Sequence, residues 1–183
     1  GRNLSDIIVL YRAHFHAMEL QLELTRLCIP FSITSGMRFF EQSHVKDLVS
    51  QLRFVFNPKD SSAFVRMVSL LPRVGEATAL RIHGDIVAMH YQQGRNFADT
   101  LRDEAIVRRV PADARDDWAG LVDTLVEISD ALKNNESPTS VTHHALEGWY
   151  SGFSRTLYPN WDSRLDDLNS LESFAGRFES FAE

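Results

Sequence analysis

Tyr11 and Arg12 stand together at the end of an apolar run, Asp6-Ile7-Ile8-Val9-Leu10, and between them they could grip both ends of a nucleotide. A tyrosine ring offers a flat face on which a nucleobase can stack, and a guanidinium offers a planar fork of donors suited to phosphate oxygens. The same pair also fits a packing aromatic followed by a solvated or salt-bridged arginine. The element that carries them weighs on that choice. The run has strand length, and the carboxyl ends of strands in α/β sheets are where ligands collect.

Downstream, 13–27 carries Leu20, Leu24 and Leu27 at helical spacing, Pro30 blocks continuation, and Phe31-Ser32-Ile33-Thr34 alternates like a short strand. The pattern predicts a strand-helix-strand unit, with Tyr11 and Arg12 at the carboxyl edge of its first strand. A helix is predicted over 42–56 from Val45, Leu48, Val49, Leu52, Val55 and Phe56, stopped by Asn57-Pro58. Beyond it 61–71, 77–91, 113–133, 139–150 and 165–181 all read as helices. Trp118, Leu121, Val122, Leu125, Ile128 and Leu132 form one apolar stripe, and Leu168, Leu171, Ala175 and Phe178 another. Breaks fall at Lys133-Asn134-Asn135-Glu136-Ser137-Pro138, ahead of a cap at Thr139 or Ser140, and at Tyr158-Pro159-Asn160-Trp161. The fold class is therefore mainly α with a minor α/β part, and the pattern still running at both ends suggests a piece of a longer protein.

The 183 residues are 44% apolar and 24% charged, ordinary for a globular chain able to bury a core. No apolar run approaches the roughly 20 residues that a spanning helix needs, and no signal-peptide plan opens the chain, so a cytoplasmic protein without membrane contact is expected. The net charge of −6 is unevenly spread. Residues 1–95 hold 11 Lys+Arg against 8 Asp+Glu, and residues 96–183 hold 8 against 17. The first part is the one suited to meet phosphate, and the acidic second part suits protein partners better than nucleic acid. Cys28, between Leu27 and Ile29, reads as a small buried apolar residue. His14 and His16, and the adjacent His143-His144, lack metal-ligand spacing and Cys or carboxylate company, so no metal is assigned. Trp118, Trp149 and Trp161 read as core. No Gly-x-x-x-x-Gly-Lys-Ser/Thr loop occurs, so the chain by itself is expected neither to hold ATP tightly nor to hydrolyse it.

Taken in order and spacing, Leu10-Tyr11-Arg12, Leu27-Cys28-Ile29-Pro30, Phe31-Ser32-Ile33, Gly36-Met37-Arg38-Phe39-Phe40-Glu41 and Val45-Lys46-Asp47-Leu48 with Leu52-Arg53 resemble the UvrD/Rep family of superfamily 1 DNA helicases. The likeness continues more thinly through Asn57-Pro58-Lys59-Asp60 and Leu71-Pro72-Arg73-Val74-Gly75, and returns in 151–158 and 164–172. It implies the opening of a second RecA-like motor domain over 1–95, an incomplete strand-helix-strand unit, followed over 96–183 by an all-helical insertion subdomain. By that resemblance Tyr11 stacks on adenine across a cleft, and Arg12 meets the γ-phosphate and stabilises charge during phosphoryl transfer. Where the family usually shows Asn and then Ser-Arg, this chain has His14 and then Ala17-Met18. In the hexamer, Phe39 and Phe40 read as anchors for the following helix and Arg38 as a bridge to Glu41 or Asp47.

Leu71-Pro72-Arg73-Val74-Gly75, followed by Thr78-Ala79, resembles the helix-hairpin-helix pattern, in which backbone amides at the mouth of the second helix hold one DNA phosphate. Arg73, Val74, Gly75 and Thr78 are the candidate contacts, with Arg73 in place of the first glycine. An ordinary helical turn would also explain them. Ser151-Gly152-Phe153-Ser154-Arg155-Thr156 resembles the second duplex-contacting hairpin of the family's insertion, which makes Gly152 and Arg155 candidates; a surface Arg155 paired with Glu147 or Asp162 fits as well. The resemblance implies an ATP-dependent DNA helicase acting in DNA repair, with ATP and Mg²⁺ bound by the full-length protein. Its partners would be a single-strand/duplex junction, bound weakly by this part alone, and the missing first motor domain. A regulatory protein-interaction module, or part of a helicase-nuclease, are the other readings.

Overall fold

In the computed structural model, residues 3–12, 14–34 and 38–180 are described, with the side chains of 14–16 left aside. Gly36 and Met37 of the hexamer, the His14 and His16 side chains, and Phe181 lie outside the described residues.

Contacts divide the chain into two units, Gly1–Gln42 and Ser43–Glu183. In the first, a 3-10 turn at Leu4–Asp6 is closed by the Asn3 amide donating to Asp6 Oδ2 at 3.2 Å. Helix α1 (His14–Arg26) follows, burying Ala17, Met18, Gln21 and Leu22. The expected strands flanking α1 are not seen. Among the described residues there is no strand, and 7–11 and 29–33 are neither helical nor paired. A strand exists only with a partner to take its backbone hydrogen bonds, and none is provided here. Ile8 and Leu10 are 83% and 90% exposed accordingly.

Two side-chain expectations also change in this unit. Cys28 is exposed, not buried, because α1 ends one residue earlier and the chain turns there through φ +53° before the Ile29 amide returns to the Leu24 carbonyl at 2.8 Å. Arg38 turns to Phe31, donating to its carbonyl at 2.9 Å with the guanidinium 5.3 Å from its ring centroid, instead of to a carboxylate. Phe39 is buried, its amide donating to Gln21 Oε1 at 3.1 Å, whereas Phe40 is part-exposed.

The second unit is all helical. Helix α2 (Ser43–Phe56) buries Val45, Leu48, Leu52 and Phe54 and stops ahead of Pro58. Asp60 caps α3 (Ser61–Val68), accepting from the Ala63 amide at 3.0 Å. Burial raises the Asp60 carboxyl, but that bond, together with those from the Ser62 hydroxyl at 2.7 Å and Arg53 at 2.6 Å, outweighs it and holds the group below the usual range. Helix α4 (Glu76–Val87) runs on into a π-helical turn, Ala88–Gln92. Two short helices without a sequence expectation follow, α5 (Phe97–Leu101) and α6 (Glu104–Val107); at five and four residues they are too short to show a period. Their legible signals are the caps, Asn96 and Asp103, each accepting an amide two residues on at 2.8 Å.

Helix α7 (Arg115–Lys133) is the long central element, turning Trp118, Leu121, Val122 and Leu125 onto Phe54, Phe64, Met67, Ile82 and Ile86 to make the core. Helix α8 (Pro138–Glu147) is capped by Ser137, not by Thr139 or Ser140: Pro138 at the first helical position lacks an amide and fixes the start one residue earlier than expected. Helices α9 (Trp149–Leu157) and α10 (Trp161–Ala175) complete the unit. Trp118 and Trp161 are buried, and Trp149 is half-buried with Nε1 donating to Asp117 at 2.9 Å.

One residue, Gly148, joins α8 to α9. A Cβ there would stand 2.3 Å from Thr124 Oγ1 and 2.9 Å from the His144 carbonyl. Thr124 is held in place, since its hydroxyl accepts the Trp149 amide at 2.9 Å. Gly148→Ala is therefore expected to cost about 1–3 kcal/mol by overpacking, read as a lowered urea midpoint at unchanged slope; an unchanged midpoint would contradict the close approach.

Candidate nucleotide and nucleic-acid sites

Tyr11 is 37% exposed and Arg12 is exposed, both on the unpaired segment of the first unit.

The hairpin is the more fully built site. After α3, the Val74 amide returns to the Leu71 carbonyl at 3.2 Å, and the side chains of Leu71 and Val74 plug into the core at 2% and 4% exposure. Between them Arg73 takes φ +58°, the left-handed conformation that glycine adopts freely and that costs an L-residue about 1 kcal/mol. Arg73 therefore keeps the turn that a first glycine would make, and directs an exposed guanidinium to Asp113, 3.0 Å away. Such a surface pair contributes at most about 1 kcal/mol, so the cation can be redirected readily.

Gly75 then begins α4 with no side chain to cap it, and no atom lies within 4 Å of where its Cβ would be. The Ala79 amide is the first to return to the Gly75 carbonyl, at 3.0 Å. The amides of Glu76, Ala77 and Thr78 thus head a helix whose mouth is open, where unsatisfied donors and the helix dipole favour an anion. Thr78 is half-buried at this mouth.

Gly152 and Arg155 have a different setting. They lie within α9, not in a loop, both exposed, and Arg155 makes no ion pair with Glu147, Asp162 or any other described residue. The Ser154 hydroxyl donates back to the Tyr150 carbonyl and the Thr156 hydroxyl to the Phe153 carbonyl at 2.7 Å, so both are used within their own segment.

A buried polar network, unanticipated from sequence, ties α2, α3, α9 and α10 together. Asp47 is 2% exposed; its Oδ1 accepts from Arg66 at 2.7 Å, and its Oδ2 accepts from the hydroxyls of Tyr150 at 3.2 Å and Tyr158 at 3.4 Å. Beside it His44, 1% exposed, has Nε2 3.0 Å from Asp167 Oδ2 and Nδ1 2.9 Å from Arg164, the arrangement of a ring that donates to the one and accepts from the other. Arg164 lies 4.0 Å over the Tyr158 ring. Burial pushes the Asp47 carboxyl above its ordinary range, against the opposing pull of Arg66 and the two hydroxyls. Burial, with Asp47 adjacent, also pushes the Tyr150 phenol far up.

The folded Tyr150 phenol keeps its proton when the unfolded one loses it, so the unfolded state binds fewer protons and stability falls as pH rises above about 10. Tyr150→Phe is expected to reduce the alkaline loss by about 1.4 kcal/mol in total between pH 9 and 11, measured by urea unfolding; equal losses for the two proteins would contradict it.

Residues 1–109 match the UvrD-like helicase C-terminal domain, and the chain belongs to that family. Among individual relatives, it is 26% identical over 193 residues to the ATP-dependent DNA helicase PcrA of Bacillus subtilis (strain 168), covering 100% of this chain and 24% of that protein. It is 29% identical over 186 residues to the ATP-dependent DNA helicase UvrD1 of Mycobacterium tuberculosis (strain ATCC 25618 / H37Rv), covering 98% and 23%. It is 37% identical over 79 residues to DNA helicase II of Escherichia coli (strain K12), covering 43% and 11%. The chain thus spans at most about a quarter of the length of these relatives. Among the described residues no helix is long and apolar enough to cross a membrane.

Proposed function

We propose that this chain is the part of an ATP-dependent DNA helicase that completes the nucleotide site with Tyr11 and Arg12 and holds duplex DNA through the hairpin of Arg73, Val74, Gly75 and Thr78. In this reading unit Gly1–Gln42 opens a RecA-like motor domain, and the exposed Ile7–Leu10 segment pairs with strands of the longer protein. ATP and Mg²⁺ are held on a first motor domain outside this chain, and Arg12 reaches them across the cleft. Gly152 and Arg155 offer an exposed secondary contact for DNA from α9.

The observation that carries the reading is the open mouth of α4: an uncapped glycine start, behind a left-handed turn that bears a redirectable cation, on the more basic part of the chain. Phosphate binding there requires no base-specific group, as befits an enzyme that moves along any sequence.

Gly75→Asp tests it directly. The backbone there, φ −86° and ψ 170°, suits any residue, and an aspartate would cap the amides itself. Stability is expected to hold or rise by a few tenths of a kcal/mol, while duplex affinity falls about tenfold or more, because a carboxylate occupies the phosphate's donors. Fluorescence anisotropy of a labelled duplex with a single-stranded tail would show it. Unchanged affinity in a stably folded Gly75→Asp protein would remove the hairpin from the DNA site.

A further inference from the structure

We infer that the seam between α7 and α9 docks a basic segment of a partner protein, which sets an apolar anchor on Trp149 and Phe153 and its lysines or arginines against the carboxylates of α7. The inference stands independently of the hairpin reading.

Three contacts seat Trp149 on α7. Its amide donates to Thr124 Oγ1 and its Nε1 to Asp117 Oδ1, both at 2.9 Å. Its Cδ1 lies 3.1 Å from where a Gly120 Cβ would be, so a larger residue at 120 would crowd the indole. Phe153, one turn along α9, stacks on Trp149 with ring centroids 4.7 Å apart and planes 22° from parallel. Both rings are half-buried, and Leu157, a further turn on, is 46% exposed. Helix α9 thus presents a part-exposed apolar line beside α7, headed by an indole fixed at three points. Aromatic side chains held rigidly in this way are the type that dominates binding at protein interfaces.

The charge beside that line is of one sign. Asp116 and Asp123 stand one turn before and one turn after Gly120 on α7, Glu127 follows a turn later, and all three are exposed. Asp116 makes no ion pair among the described residues. Asp123 meets Arg102 at 2.9 Å in a pair exposed on both sides, which a competing cation can displace. Glu127 has His144 at 3.9 Å. Residues 96–183, with 17 Asp+Glu against 8 Lys+Arg, extend the same field around the seam. A DNA backbone is repelled there, whereas a partner's cations find carboxylates and aromatic rings together. Arg155 lies two residues from Phe153, about 200° round the helix, so the DNA contact proposed from it uses another side of α9.

The test is fluorescence anisotropy of a labelled peptide of about 18 residues, leucine on one helical face and lysine on the other, titrated with the 183-residue chain at about 0.15 M salt. Its counterpart with glutamate for lysine should bind at least about tenfold more weakly. Phe153→Ala and Asp116→Lys should each lower affinity for the lysine peptide by about fivefold or more. Asp166→Lys, the same charge change at an exposed position of α10, should lower it by less than about twofold. Circular dichroism and Tm verify that each variant folds, and the exposed Asp116 can be reversed without touching the core. Affinity for the tailed duplex should stay within about twofold in Phe153→Ala. Phe153→Ala and Asp116→Lys proteins that bind the lysine peptide as Asp166→Lys does would overturn the inference, as would equal affinity for the two peptides or failure to bind either. A Phe153→Ala protein that loses duplex affinity but keeps the peptide would give the seam to DNA. A dimer seen by sedimentation and dissolved by Phe153→Ala would give it to a second copy of the chain, and either result overturns the basic partner.

Discussion

Arg12→Ala in the full-length protein is expected to lower kcat for DNA-stimulated ATP hydrolysis by about a thousandfold or more while leaving DNA affinity within about twofold. Charge spreads over the oxygens of the transferring γ-phosphoryl group, and an arginine that stabilises it contributes about 10³–10⁵ in rate. Arg12 is exposed, so its loss should change stability by no more than about 0.5 kcal/mol. Arg12→Lys keeps the charge but not the planar fork, and should recover only part of the rate. Tyr11→Ala should instead raise KM for ATP, since stacking on the base acts in ground and transition state alike. A loss below about tenfold in Arg12→Ala, with DNA binding intact, would remove Arg12 from phosphoryl transfer.

Asp47→Ala is expected to destabilise the helical unit by about 2–4 kcal/mol. The Tyr150 hydroxyl, in a residue 0% exposed, would lose its closer acceptor. Arg66 would lose its carboxylate while its Nε already lacks a partner. Part of Arg66 reaches water, which holds the cost below that of a fully buried unpaired charge. Asp47→Asn keeps an acceptor oxygen and should cost about half as much. The readout is the urea unfolding free energy at pH 7, and a change under about 0.5 kcal/mol in Asp47→Ala would mean that the Asp47 hydrogen bonds do not hold α9 to α2 and α3.

The helices that carry both the hairpin and the core were legible in sequence because their apolar spacing is local. Val45, Leu48 and Leu52 on α2, and Trp118, Leu121, Val122 and Leu125 on α7, announce one buried face each, and those faces make the core. The turn was legible for a related reason: Pro72 fixes its own φ and cannot continue the preceding helix, whatever the rest of the chain does. The flanking strands of α1 were a different matter, since a strand is defined by a partner and the described residues contain none.

What the sequence by itself determined is thus the helical character of most of the chain and its family. Only the tertiary structure decided that Arg73 takes the left-handed turn a glycine would make, that Gly152 and Arg155 lie on a helix, and that Cys28 is exposed. It alone joined Asp47 to Tyr150 and His44 to Asp167, pairs more than 100 residues apart in sequence. The physical reason is range: periodicity and turn chemistry act within a few residues, whereas buried hydrogen bonds are satisfied by whichever helix the packing of the core brings alongside.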